Sequence, residues 1–514
     1  MNALRLDQAA ELPPARSVAE LAELWAWTLP IALLGSGTCF AKIPGVNWAL
    51  WTVAAAAGFL LINRRSNRSH ARRYARAALG LGCLLSMAAA VAASPFAAAL
   101  IFLSVASLCA FSVLSMITPS PEEIGPYVLV RAPLELCRAL FAEAAARIAD
   151  TFAALRMRDA VPVVRASTLA LSLAAALFLL LSAADPTMAG WRDVAYQTIL
   201  SWTFLARDVF FVVLTFLLLG AYGLASHRAA DTSGSEVRPP SGRGVRFSDL
   251  ERLIVLGAAM SLFVAFFAAE TLSRIASPGF RLQAGETFAE ATHRGFGEMI
   301  VAAALCAIVI ITLDQRAQRN GRAVAVRWLS WAVIAASLVV VASAYQRVRY
   351  YEMAYGYTQQ RLYVQACCGA ASIALLLLAW ELRSAIRLPR LMRHVALVGI
   401  AAVAALSYWN SAAWIVQANV GRYQSSGKLD VSYLERLARS SPDAIPALIE
   451  ALPRLAPADA ERLRASMEHT SFERAILPPL EGSDALSWYE WNLRRAAARS
   501  ALRNAGMLGA AMSH

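Results

Sequence analysis

The stretch Arg347-Val-Arg-Tyr-Tyr-Glu-Met-Ala-Tyr-Gly-Tyr-Thr-Gln-Gln-Arg-Leu-Tyr363 lies between two long apolar segments and holds three Arg, one Glu and five Tyr in seventeen residues. On a helix Tyr351 and Tyr355 share a face, and Arg349 and Glu352, three apart, come within pairing distance. Gly356 interrupts the helical preference, so Gly-Tyr-Thr reads as the turn between two spans, with Arg361 opening the second. Two readings compete. One is an interfacial belt in which Tyr anchors at the headgroup level and Arg side chains snorkel. The other is a fixed polar constellation facing a cavity.

The composition around this turn is that of an integral membrane protein. The 514 residues are 58% hydrophobic and 16% charged, against about 45–50% and about 25% in a soluble chain. The formal charge of +13 invites a nucleic-acid reading, but the basic residues cluster in short loops between apolar runs, which argues against a nucleic-acid partner. The seven Cys show no C-x-x-C spacing, so neither a zinc site nor a disulfide framework is expected.

Apolar runs place spans at about 24–40, 48–62, 77–93, 95–117, 163–181, 205–226, 253–272, 296–313, 328–345, 362–380 and 395–417. The expected fold is therefore all-α: a polytopic transmembrane helix bundle of about eleven spans with a small helical extramembrane C-terminal domain. The loop after the second span carries Arg64, Arg65, Arg68, Arg72, Arg73 and Arg76. The segments expected inside carry 24 Arg or Lys against 8 outside. That asymmetry puts the N-terminus in the cytoplasm and, with an odd span count, the C-terminus outside. The location implied is a bacterial inner membrane, multi-pass.

The expected domains are an N-terminal membrane half (1–226), a cytoplasmic linker rich in Ser, Gly and Pro (227–248), a second membrane half (249–418) and a helical extracytoplasmic unit (419–514). Within the first, Leu136, Leu140, Ala144, Ile148, Phe152 and Leu155 recur at helical spacing, with Arg138, Arg147 and Arg156 between them. They predict an amphipathic helix over about 134–158, on the cytoplasmic surface or packed beneath the bundle. Pro133 is read as part of the loop before it. In the last unit, Asp443 reads as an N-cap with Pro446 in the first turn, and helices are expected at about 430–440, 444–452, 458–468 and 484–504.

Three segments bring charge or amide groups to the expected outer edge. In 286–298, Glu290 and His293 have the spacing of a dimetal ligand pair, but no second copy exists, so no metal and no cofactor are expected. Glu298 opens an apolar span, where a carboxylate is costly unless paired, and Arg294 is its nearest partner. The second segment is the opening stretch, with Arg347, Arg349, Tyr351, Glu352, Tyr355 and Arg361. The third holds Asn410 within the last span, then Asn419 and Arg422. Glu298, Arg361, Asn410 and Arg422 are expected to converge on one polar cluster, with Tyr351 and Tyr355 in its wall.

These segments also carry a resemblance. Arg294-Gly-Phe-x-Glu298 is followed by Tyr351-x-x-Ala-Tyr-Gly-x-Thr-x-x-Arg361-x-Tyr363. Asn419-x-x-Arg-Tyr423 then runs into Gly427-Lys-Leu-Asp-x-x-Tyr-Leu434 and Asp443-Ala-x-Pro-Ala-Leu448. In this order they resemble a family of bacterial multispanning membrane proteins catalogued only as a domain of unknown function, over about 250–455. The resemblance implies a membrane location and a helical outer tail, and brings no substrate or reaction. No phosphate loop, G-x-S-x-G or H-E-x-x-H motif occurs. The expected function is a non-enzymatic sensor or assembly protein. Its partners are the lipid bilayer and an extracytoplasmic protein or lipid-linked ligand. A membrane-embedded transferase on a lipid-linked substrate and a transporter are the alternatives.

Overall fold

A computed structural model describes residues 17–65, 69–118, 126–154, 202–227, 248–276, 296–314, 323–384, 386–468 and 488–507. Among these the regular structure is entirely helical. Ten helices fall on expected spans: α1 (Val18–Thr38), α2 (Val46–Ile62), α3 (Ser69–Met87), α4 (Pro95–Ile117), α6 (Trp202–His227), α7 (Asp249–Ala276), α8 (Phe296–Asp314), α9 (Ala323–Tyr355), α10 (Gln359–Glu381) and α11 (Leu388–Tyr408). Between α4 and α6 lies α5 (Pro126–Ala154). The span expected at 163–181 and nearly all of the 227–248 linker lie outside the described residues. Seven of the described helices are long and apolar enough to cross a membrane. Their outward faces are apolar: Leu103 is 62%, Leu262 72% and Val301 66% exposed. Such an apolar exterior suits lipid, and helices suit it too because they satisfy their own backbone groups. The chain is a multi-pass membrane protein.

Two apolar cores occupy the membrane part. The first joins α1 to α6 through Leu24, Ile31, Phe59, Leu79, Leu114, Leu219 and Tyr222. The second joins α7 to α10 through Leu256, Met299, Ile310, Val341, Leu375 and Leu378. They meet where Ile400, Val403 and Ala404 of α11 pack on Leu85, Ala88, Ile101 and Val105 of α3, α4 and their connection.

α5 begins eight residues earlier than expected and runs through Pro133. It packs closely along α6: a Cβ at Gly220 would lie 2.2 Å from the Leu140 carbonyl oxygen, and one at Gly223 2.9 Å from Glu143 Oε1. Gly220 thus lets the two backbones approach, and Gly223 leaves room for the Glu143 side chain. Its buried Arg147 pairs with Glu143 at 2.9 Å and Asp150 at 2.7 Å. This helix is packed into the bundle rather than laid flat on a surface.

α9 has 33 residues. At about 1.5 Å per residue it is about 50 Å long, against a hydrocarbon core of about 30 Å. Trp328 and Tyr345 are exposed 64% and 41%, and their separation of about 26 Å matches a pair of aromatic belts. The segment Arg347–Tyr355 therefore extends as helix beyond the apolar length.

The last span ends sooner than expected. α11 stops at Tyr408, and α12 (Ser411–Ser426) starts anew after Asn410. α12 belongs with α13 (Val431–Ser440), α14 (Ile445–Ala451), α15 (Pro457–Glu468) and α16 (Leu493–Asn504). Their shared core is Ile415, Val416, Leu434, Ile445, Leu448, Leu463, Ala498 and Leu502, reached from α10 by Leu362. The helical unit thus begins near 411 rather than 419, because Ala412, Ile415 and Val416 face its core.

Candidate functional site

α9 ends at Tyr355, and the next residue, Gly356, has a φ of +87°, the left-handed conformation that glycine tolerates. Its N–H donates to the Glu352 carbonyl at 2.8 Å. Thr358 then N-caps α10, its hydroxyl accepting from Arg361 N at 3.4 Å. Around this turn the side chains of the opening stretch gather. Arg349 pairs with the buried Glu352 at 3.0 Å. The Arg361 guanidinium lies 4.1 Å from the Tyr351 ring centroid and donates to the Gly356 carbonyl. Tyr351 and Tyr355 are in ring contact at 4.7 Å. Arg347 is partly buried on the same helix.

The C-terminal unit reaches this turn with three side chains. Asn419 brackets Tyr357, accepting from its N–H at 2.8 Å and donating to its C=O at 2.9 Å. Arg422 donates to the Met353 carbonyl at 2.8 Å, so a cation caps the negative end of α9. The Tyr433 hydroxyl accepts from Gln359 N at 2.9 Å, and burial pushes its pKa up.

Asn410 is elsewhere. It N-caps α12, accepting from Ala413 N at 3.0 Å, and donates to the Asp443 carbonyl at 3.1 Å. It belongs to a second polar cluster, built on Asp443. Asp443 is not a helix N-cap: it sits in the 3-10 turn Pro442–Ala444 and is 3% exposed. Its carboxylate accepts from Ala93 N at 3.1 Å and pairs with Arg494 at 3.1 Å. Arg494 also donates to the Tyr408 carbonyl at 2.9 Å. Burial raises the Asp443 pKa, against the pull of Arg494.

Beside this pair, Asn492 N-caps α16 and donates to the Ala89 and Ala92 carbonyls at 2.8 and 2.9 Å. Next to it the α1–α2 turn is held by buried Asn47, which accepts from Gly45 N at 2.7 Å and donates to Thr38 O at 2.8 Å. Val46 N donates to the Trp491 carbonyl at 3.1 Å, and a Cβ on Gly45 would stand 2.6 Å from that same oxygen. One helical unit therefore engages the α1–α2, α3–α4 and α9–α10 turns and the end of α11. These all lie at one end of the bundle. The opposite end is basic: Arg390 forks onto Glu381 at 2.6 and 2.7 Å, and Arg393 lies 5.5 Å from the Tyr74 ring centroid.

The structure thus brings Arg349, Tyr351, Glu352, Tyr355, Arg361, Asn419 and Arg422 together and puts Asn410 in a separate cluster. Glu298 lies in the first turn of α8, with its side chain outside the described residues, as are Arg294, Glu290 and His293. Sequence reasoning missed Asn47, Tyr433, Asn492 and Arg494 as site residues. An Asn preceding the Arg-rich run at 493–504 is an N-cap signal for α16; the long-range partner of each was not readable. Among the described residues no three His, Cys, Asp or Glu side chains gather as metal ligands.

No curated protein and no solved structure matches the chain. The sequence profile described as "Domain of unknown function (DUF4153)" matches residues 79–451, beginning well inside the first membrane half and ending within the helical unit. With most of its length matched, the chain belongs to that family.

Proposed function

We propose that this is a non-enzymatic multi-pass protein of the bacterial inner membrane, with its N-terminus in the cytoplasm and its helical C-terminal unit outside. That unit binds a partner or ligand and passes the event to the spans, as a sensor or assembly factor does. One observation carries the reading. The unit is locked through buried polar side chains to several hairpin tips belonging to both membrane cores. A load or a bound partner on such a unit is transmitted to both. The side chains of the Arg361 cluster serve helix ends and turns, which supports coupling rather than chemistry. Orientation is supported by the charge asymmetry of the loops, the basic end lying opposite the docked unit.

The test is Glu352→Gln and Arg361→Gln in the native membrane. A coupling element loses its thermal midpoint and its cellular phenotype together, by comparable steps. A variant that folds with an unchanged midpoint yet loses the phenotype completely would speak for a reacting centre, and the transferase reading would replace this one.

A further inference from the structure

We propose that the junction between the α1–α2 turn and α16 binds the phosphodiester of a membrane phospholipid. The proposal deepens the reading above, since it takes the docked end of the bundle to lie at a lipid headgroup layer. Arg495 stands in the first turn of α16 and is 5% exposed. Its Nη2 donates to the Pro44 carbonyl at the hairpin tip. Its Nε and Nη1 are buried and have no hydrogen-bond acceptor among the described residues. A buried guanidinium with open donors carries a desolvation cost that an oxyanion relieves. Burial drives its pKa down to about 10, with the acids around it pulling the other way.

The neighbouring carboxylates are committed. Glu490 accepts from Ile43 N at 3.1 Å and faces Lys42 at 3.8 Å. Asp443 holds Ala93 N and Arg494, as described above. Further along α16, Arg499 and Arg503 follow Arg495 at four-residue steps, so the three lie on one face. Burial and the charge of Arg503 lower the Arg499 pKa. A face with several guanidinium groups and one ammonium beside it favours an anion, and the guanidinium fork suits a phosphate in particular.

Lipid is the source the surroundings indicate. Trp488, Trp491 and Leu493 beside the junction are exposed 74%, 49% and 50%. Leu33 and Val53, on the two helices of the same hairpin, are exposed 62% and 42%. Exposed Trp and aliphatic groups next to a basic site at a hairpin tip make up a headgroup layer.

The experiment reads retained lipid by native mass spectrometry on the full-length protein. The protein is loaded with phosphatidylglycerol and washed in the presence or absence of inorganic phosphate. Arg495→Gln also removes the bond to Pro44 and can unfold the junction. Arg499→Gln and Arg495→Lys therefore carry the test, with helicity and thermal midpoint as folding controls. Retained lipid should fall at least about tenfold in one or both folded variants, the loss of a charged hydrogen bond. Retention unchanged in both overturns the proposal. So does displacement of the lipid by millimolar inorganic phosphate, which would make the site one for a free anion. Neither result touches the partner-binding reading, which is tested separately at Glu352 and Arg361 of the α9–α10 turn.

Discussion

The Asn419 side-chain amide pairs with both backbone groups of Tyr357, at 2.8 and 2.9 Å, and so acts as a one-residue partner strand for the turn between α9 and α10. Asn419 is 7% exposed, so water replaces it poorly. Asn419→Ala should cost about 1–3 kcal/mol through the two backbone groups left unpaired. Asn419→Asp keeps the acceptor only and should fall between. The thermal midpoint in detergent reads both. Equal midpoints for Ala and wild type would show that the turn holds without this residue.

Gly45 tests the second contact. Its φ of −163° is extended backbone that any residue adopts, so only space matters. A Cβ there would meet the Trp491 carbonyl oxygen at 2.6 Å. Gly45→Ala should cost about 1–3 kcal/mol, the usual range for overpacking. It should also raise protease sensitivity after Trp488 while leaving cleavage in the 430–450 region unchanged. A variant as resistant as wild type would mean the hairpin tip gives way without cost.

The buried Asp443–Arg494 pair should show strong coupling. Arg494→Leu strands a buried carboxylate and should cost about 3–5 kcal/mol. Adding Asp443→Asn should recover part of that loss, so the double-mutant cycle should depart from additivity. Additive losses would show that the two groups act independently.

The same carboxyl sets a pH dependence. Burial holds Asp443 above its ordinary 3.8. A raised pKa in the folded state means that its contribution is full below the unfolded value and is lost as pH rises through the folded one. The midpoint difference between wild type and Asp443→Asn should therefore shift against wild type from about pH 4 upward. A shift in its favour over the same range would mean that Arg494 outweighs burial.

Topology can be read directly. An alkaline phosphatase fused after His514 should be active, and a fluorescent protein that matures only in the cytoplasm should be dark there and bright when inserted at 235. The reverse pattern would invert the whole orientation.

Helix positions were legible because apolar length and loop charge act locally. Ten helices fall on runs marked by those signals alone, and Thr358, Gly356 and Asp430 fulfil turn or cap roles that their residue types suggest. The end of the last span was less so. Tyr408-Trp409-Asn410 is apolar enough to continue a span, and it breaks there because Arg494 holds the Tyr408 carbonyl, Asn410 reaches the Asp443 carbonyl, and Ile415 and Val416 pack into the helical core. Pro133 misled in the opposite way. It reads as a loop residue, yet α5 runs through it.

The candidate site divides along the same line. Arg349 and Glu352 find each other within one helical turn, so spacing was sufficient to pair them. Arg494 lies 51 residues from Asp443, and Asn492 about 400 from the Ala89 and Ala92 carbonyls it holds. Hydrophobicity and charge along the chain determine which segments enter lipid and on which side their loops fall, because each segment partitions largely by its own composition. Which polar side chain satisfies which distant turn is decided only when the C-terminal helices dock. A buried amide or guanidinium donates to any carbonyl of suitable geometry, and the packed structure alone supplies that geometry.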